Sequence, residues 1–495
     1  MWFRQDLRLA DHPALTAAVA RAPVVPVFIW SPEELGDAAP GAASRWWLHQ
    51  SLGRLDESLR GLGSRLIIRR GPFAKTLHAI ATEVGADAVF WSRCHEPAWQ
   101  KVDREVCATL ERAQVKTERY PGALLFDPDL VRTAGGGPFQ VFSAFWRACL
   151  AQPSPAPPLP APSHARRPRS WPTSCAREEL ALEPKIDWAT GIRAAWTPGE
   201  HGAQQRLREF VAGAGSPIDH YEGGRNRPGS AGTSRLSPHL HHGEISPRQI
   251  WQAIADRTNA AAGDASTFLR ELGWREFAHH LLVHFPKTPQ EPLRPAFRRF
   301  PWAKSAAHLR AWQRGRTGYP MVDAGMRELW TTGFMHNRVR MVTASFLTKH
   351  LLLPWQEGAA WFWDTLVDAD QGNNTLGWQW VSGCGADAAP YFRIFNPVIQ
   401  GEKFDPRGEY VRRWLPELAG LPDRYIHAPW KASAETLRAA GVTLGADYPK
   451  PIVDHTWARA RALAAYASLE RPRVRAGAIT MPRARAQSRT AGLSH

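Results

Sequence analysis

The chain has 495 residues, with 62 Lys and Arg against 46 Asp and Glu, a net charge of +16 and an isoelectric point near 10.1. That length exceeds one compact core, the basic excess favours polyanionic partners, and 44% hydrophobic with 22% charged residues excludes a disordered chain. No stretch reaches the roughly 18–20 uncharged apolar residues of a membrane helix, the start carries no signal-peptide core, and Cys94, Cys107, Cys149, Cys175 and Cys384 form no CxxC pair. These features exclude a disulfide framework and predict a cytoplasmic, DNA-facing protein. Tryptophan is in surplus, 23 against 8 tyrosines.

Residues 1–150 alternate strand-like runs at 24–30, 65–70, 87–92 and 115–120 with helical patterns at about 44–62, 73–84 and 97–113. This alternation predicts an α/β domain with a parallel sheet and crossover helices. Only Met1-Trp2-Phe3 precedes RQDLRLADHP, so the first strand is expected to be either truncated or a stub. Residues 151–199 hold PSPAPPLPAP (153–162) and the basic RRPR (166–169), which reads as a linker over the surface. From 200 to 470 the pattern is helical, with strand alternation nearly absent. Residues 471–495 carry six arginines without apolar periodicity and are expected to be a disordered basic tail.

No GxxxxGK[ST] and no strand-borne GxGxxG occurs, which argues against a P-loop ATPase or a Rossmann flavoprotein. Gly135–Gly137 reads as a turn. The run HLHH (239–242) with His336 lacks a carboxylate at ligand spacing, so no metal is expected. Tyr221-Glu-Gly-Gly-Arg225 followed by Gly232-Thr233-Ser234-Arg235-Leu236-Ser237 offers hydroxyls and N–H groups to phosphates, or equally a helix cap. Glu271 and Trp274, three apart in a helical pattern, place an acid and an indole on one face. Such a pair can bind a base, or can be a wet-face acid beside a core indole. In MHNRVRM (335–341), Asn337 and Met341 share a face, and the arginines need phosphates or carboxylates, which Asp368 and Asp370 could supply. The segment Asp368–Trp380 then gathers acids, amides and two indoles, suited to a heterocycle and to electron transfer, though any single Trp is by default core.

Together WFRQDLRLADHPAL, GTSRLSPHL, GEISPRQ, ELGWREF, GYPMVDAGMRELW, GFMHNRVRM and DADQGNNTLGWQW resemble the photolyase/cryptochrome family, as does YFRIFNPVIQGEKFDPRGEYVRRWLPEL. The match spans nearly the whole chain outside the linker and tail. PEELGDAAPGAASRWWLHQSL is similar to class III cyclobutane-dimer photolyases, with class I the near alternative. The resemblance implies an α/β antenna domain and a mostly α-helical FAD-binding domain. It also implies light-dependent repair: reduced FAD (FADH⁻) passes an electron to a flipped-out pyrimidine dimer in UV-damaged DNA.

By motif, Tyr221 and Thr233, Ser234, Arg235, Leu236 and Ser237 would hold FAD; Arg340 would pair with Asp368, Asp370 would lie at the isoalloxazine edge and Asn374 would face flavin N5. Glu271 would hydrogen-bond the dimer carbonyls. Trp274 and Trp380 would wall the dimer pocket with Asn337 and Met341, while Arg225, Arg338 and Gln400 approach DNA. Trp378, Trp355 and Trp302 match a photoreduction relay. Glu34, Trp46 and Trp47 would touch an antenna, 5,10-methenyltetrahydrofolate by resemblance or else 8-hydroxy-5-deazaflavin. Phe268 and Phe334 stand where some relatives have Trp. The family is usually monomeric. The competing expectations are a cryptochrome-like light sensor without repair and a (6-4) photolyase.

Overall fold

The computed structural model describes residues 1–257, 263–388 and 392–470; the expected basic tail lies outside them. Five short strands form the α/β part: β1 (Trp2–Phe3), β2 (Val27–Trp30), β3 (Ile67–Arg70), β4 (Ala88–Ser92) and β5 (Lys116–Tyr120). Their inner members are β-branched or aromatic, and β2 is buried along its whole length, as a parallel strand covered by helices requires. All pairings are parallel, β1 with β2, β2 with β3 and β4 with β5. β1 packs beside β4, giving the doubly wound order β3-β2-β1-β4-β5, but no backbone ladder joins those two.

The missing ladder follows from the brevity of β1, a stub of two residues. The chain turns at Arg4, whose guanidinium donates to the Ser92 carbonyl at the end of β4 and to Asp103 at 2.6 Å. A buried side chain thus joins the two sheet halves where backbone does not. The helices Pro13–Arg21, Ala42–Gly61, Phe73–Val84 and Pro97–Arg112 cover the faces.

The proline-rich segment is a strap that binds the sheet edge. Asp11 N–H donates to the Leu159 carbonyl at 2.8 Å, Ala165 to Leu62 at 3.1 Å and Cys175 to Ile68 at 3.0 Å. Ile68 N–H in turn donates to the Ser174 hydroxyl at 2.9 Å, so this strap occupies the open edge of β3. Leu180 and Leu182 then enter the α/β core.

Residues 1–8 and 239–244 bolt the α/β part to the helices. Leu7 N–H donates to the His242 carbonyl at 3.2 Å, and Arg8 to the Gly243 carbonyl at 2.9 Å. Gly243 has φ +67°, and a Cβ there would lie 2.1 Å from the Gln5 carbonyl oxygen, so only glycine permits this approach. Beside it, fully buried Glu244 accepts from Trp47 Nε1 (2.9 Å), Gly199 N–H (2.8 Å), Ser51 and His239.

Among the described residues from 200 onward, only an isolated bridge between Leu444 and Tyr448 is strand-like. The helix Gln371–Ser382 is central. It packs against Gly263–His284, Trp355–Thr365 and Asn337–Ser345. No described helix is long and apolar enough to cross a membrane.

Candidate functional site

A hollow runs beside the central helix. Although that helix is packed on three sides, Asn373 and Gly377 are exposed and Asn374 is half-buried. No atom lies within 4 Å of the position a Cβ would take on Gly377, so its backbone is open to a flat ring. Asp370 caps the helix, accepting from Asn373 N–H at 2.7 Å. Asn374 donates through Nδ2 to the Ala359 carbonyl at 3.0 Å, which fixes its amide. Arg340 donates from one Nη to both oxygens of Asp368, at 3.0 and 2.8 Å, and from Nε to the Met335 carbonyl at 2.7 Å. The Ser237 hydroxyl donates to the same Asp368 at 2.7 Å, tying the Thr233–Ser237 loop to this pair.

The floor of the hollow is charged. His279, on the helix Gly263–His284, donates through Nε2 to Asp370 at 3.1 Å. Burial alone would push the Asp370 carboxyl up, but the charge and hydrogen bond of His279 hold it well below the usual carboxylate range. Burial likewise pulls His279 down, and Asp370 outweighs it, so its pKa rises. Glu96, from the α/β part, places an oxygen within 4.8 Å of this pair. These three could in principle hold a cation, but His279 is already engaged with Asp370 and the Arg275 charge acts on both.

A second face lies around Glu271 and Trp274. Arg225 donates to Glu271 at 2.5 Å, and both side chains are a little over a quarter exposed. Burial raises the Glu271 pKa, while the Arg225 charge and hydrogen bond pull it down. Trp274 stacks on Phe142 at 3.8 Å with planes 9° apart. Trp380, half-buried, donates its indole N–H to the Asp387 carbonyl at 3.0 Å. Arg338 donates to Asn226 at 2.7 Å and lies 4.3 Å over the Phe404 ring, one helical turn from Gln400. The structure therefore brings Arg225, Arg338 and Gln400 onto one surface with exposed Asn337. Met341 is half-buried one turn beyond Asn337.

Trp378, Trp355 and Trp302 lie in one core cluster of the helical part, linked through their neighbours. A Cβ on Gly358 would fall 2.0 Å from the Trp378 ring, and Gly358 is one turn from Trp355 on the same helix. Ala303, next to Trp302, donates to the Leu352 carbonyl three residues before Trp355. Trp378 and Trp355 are each 2% exposed, whereas Trp302 is half-buried at the outer end.

Other residues sit differently from expectation. Trp46 and Trp47 are 1% and 0% exposed in the packing between the two parts, with Trp47 against Trp196, His239 and His242, so they offer no face to an antenna. Glu34 accepts from Ser31 at 2.9 Å and from Phe73 N–H at 2.6 Å, which makes it a local cap. The Leu236 side chain belongs to the core, leaving only its backbone for a ligand. Arg235, with φ +52°, lies 4.2 Å over Trp196 and 5.3 Å over Phe334, and its buried Nε has no hydrogen-bond partner. Buried Tyr221 packs edge-on against Phe210 and Phe268. Sequence reasoning missed His279 and Glu96; the signal available was a pair of histidines (279–280) inside a helix whose neighbouring turns are otherwise buried.

The description "DNA photolyase" matches residues 1–163, and "FAD binding domain of DNA photolyase" matches 268–468. The deoxyribodipyrimidine photo-lyase of Agrobacterium fabrum is 47% identical over 474 residues, covering 95% of this chain and 98% of that protein. The chain belongs to the photolyase/cryptochrome family. Cryptochrome-1 of Arabidopsis thaliana is 41% identical, covering 93% of this chain and 69% of that family member. A crystal structure of a bacterial class III photolyase from Agrobacterium tumefaciens superposes with a TM-score of 0.90 at 46% identity, covering 94% of this chain and 96% of that one. The α/β part and the helical FAD-binding part are those of the family. The hollow fits FAD on its own terms: Gly377 leaves room for a ring, and Asn374 and the Arg340–Asp368 pair offer polar edges.

Proposed function

We propose that this protein is a light-dependent DNA-repair enzyme that splits cyclobutane pyrimidine dimers, of the class III type. Bound FAD, reduced to FADH⁻ and excited by blue light, supplies the electron that opens the cyclobutane ring and recovers it afterwards. The observation that carries this reading is the placement of a carboxyl with a raised pKa, Glu271, one turn from the stacked indole Trp274. Once protonated, such an acid donates to a carbonyl oxygen that gains negative charge, and the indole gives an extruded base a surface on which to stack.

The protein's own residues then divide the work. Arg340, Asp368, Ser237 and the Thr233–Ser237 backbone hold the cofactor, with Tyr221 packed behind the loop. Asp370, kept ionised by His279, presents a charged edge to the ring. Asn374 faces the flavin with an amide, which has no proton to give at neutral pH. Arg225, Arg338, Asn337 and Gln400 receive the DNA, and Trp380 and Met341 close the lesion pocket. Trp378, Trp355 and Trp302 would relay the electron that reduces the cofactor when it is bound. The α/β part (1–150) would hold an antenna, methenyltetrahydrofolate before deazaflavin, away from the filled Trp46–Trp47 region. The strap (151–199) joins it to the catalytic part (200–470) in a cytoplasmic monomer.

The test is repair per photon on DNA bearing one dimer. Wild-type protein restores the duplex, and Glu271→Ala lowers the yield several-fold with flavin content unchanged. An unchanged yield would remove Glu271 from the chemistry.

A further inference from the structure

The acid proposed to serve the lesion is not free. Arg225 Nη1 donates to Glu271 at 2.5 Å, with side-chain exposures of 27% and 29%. A carboxylate held this way cannot donate to a dimer carbonyl, because an ionised carboxyl only accepts. Arg225 is also the cation on this face that a phosphate would compete for. It follows the turn Tyr221–Gly224, its guanidinium lies 5.7 Å from the Tyr221 ring, and it works against other positive charges. The Arg225 charge contributes to depressing both Arg338 and His336, and Arg393 acts on Arg338 as well. A phosphodiester entering that group relieves this repulsion.

Resting on the reading above, we propose that Arg225 is a gate on Glu271. In the free protein it holds Glu271 as a carboxylate. When lesion DNA docks, the guanidinium moves to a backbone phosphate, and Glu271 takes a proton from solvent and becomes the donor to the dimer. One O–H bond forms and no electron moves. The setting drives the exchange, because a carboxyl that loses its cation in a desolvated pocket favours its neutral form. The groups that face Glu271 are few: Arg225 and Tyr221 from the turn and Arg270 from its own helix. His336, held down to about 4 by burial and then by the neighbouring arginines, starts neutral and is the competing proton acceptor, which Glu271→Gln distinguishes.

The experiment is calorimetric binding of dimer-containing duplex to FAD-loaded protein in the dark, near pH 7 and at low salt, in buffers of different ionisation enthalpy. Wild-type protein should take up to about one proton per lesion bound, and lesion affinity should fall as pH rises. Glu271→Gln should abolish the uptake. Arg225→Gln should abolish it too, because Glu271 then has no cation to lose when DNA binds. Absence of uptake in wild-type protein overturns the gate, as does uptake that persists in either variant. Blue-light repair of the same duplex separates the two claims: repair without proton uptake refutes the gate alone, whereas absence of repair refutes the enzymatic reading beneath it.

Discussion

Trp378 rests directly on Gly358, with its ring 2.0 Å from where a Cβ would stand. The contact seats this indole against the helix that also carries Trp355, both 2% exposed. Gly358→Ala should cost about 1–3 kcal/mol through overpacking, and it should also slow flavin photoreduction by displacing the indole. Trp378→Phe keeps an aromatic ring but removes the readily oxidised group. It should abolish photoreduction yet leave repair by chemically reduced enzyme intact. Transient absorption checks both variants, and an unchanged photoreduction rate in Trp378→Phe would refute the relay.

Asp368 is 7% exposed and is held by Arg340 and Ser237. Arg340→Ala leaves a buried carboxylate with only the hydroxyl donor, a loss of about 3 kcal/mol. Flavin retention should fall with it. Chemical denaturation and the ratio of flavin to protein absorbance measure the two effects, and full flavin retention would detach this pair from the cofactor.

Buried His280, His336 and His350 are pulled by desolvation to about 4, 4 and 3. The unfolded chain binds their protons near pH 6.5, while the folded chain resists until those lower values, so stability is lost as pH falls through that window. His279 acts in the opposite sense: its pKa is raised, so its contribution is full below 6.5 and fades as pH rises through the folded value. Melting temperatures across pH 4–9 should therefore drop sharply on the acid side. His279→Gln should remove part of the decline on the alkaline side.

DNA affinity should fall linearly on a log–log plot against salt, with a slope of about −0.9 per phosphate neutralised. Arg338→Ala should reduce the magnitude of that slope by about 1. Binding that is flat with salt would contradict the basic face.

Much of the architecture was legible because short β-branched or aromatic runs alternate with helical patterns, although only β2 and most of β4 are buried along their length and β5 (KTERY) is largely polar. The expected runs at 65–70, 87–92 and 115–120 enclose β3, β4 and β5, and the helix Phe73–Val84 falls on its predicted span. Proline content pointed to a linker at 151–199, a stretch that also holds the short helical turns Arg177–Leu180 and Thr190–Ala195. Composition could not show that Ser174 and Cys175 would bind β3, because one bond uses a Ser hydroxyl and the other a backbone N–H, and both reach β3 from more than a hundred residues away. Among site residues, the need of a helix-borne arginine for a counter-charge pointed to Asp368 or Asp370, and the resemblance narrowed it to the Arg340–Asp368 pair that the structure contains. Glu34, Trp46 and Trp47 were ambiguous in the sequence because an acid and two indoles suit a ligand and a packed interface equally well. Only burial separates the two. His279 and Glu96 escaped notice because they meet across 183 residues of sequence, from two different parts of the fold.

The most direct test of the account is illumination of the purified, FAD-reduced protein with two duplexes, one carrying a cyclobutane pyrimidine dimer and one a (6-4) photoproduct, followed by counting of remaining lesions. The account predicts light-dependent loss of the cyclobutane dimer and persistence of the (6-4) lesion. Persistence of both under blue light, or loss of the (6-4) lesion alone, would contradict it.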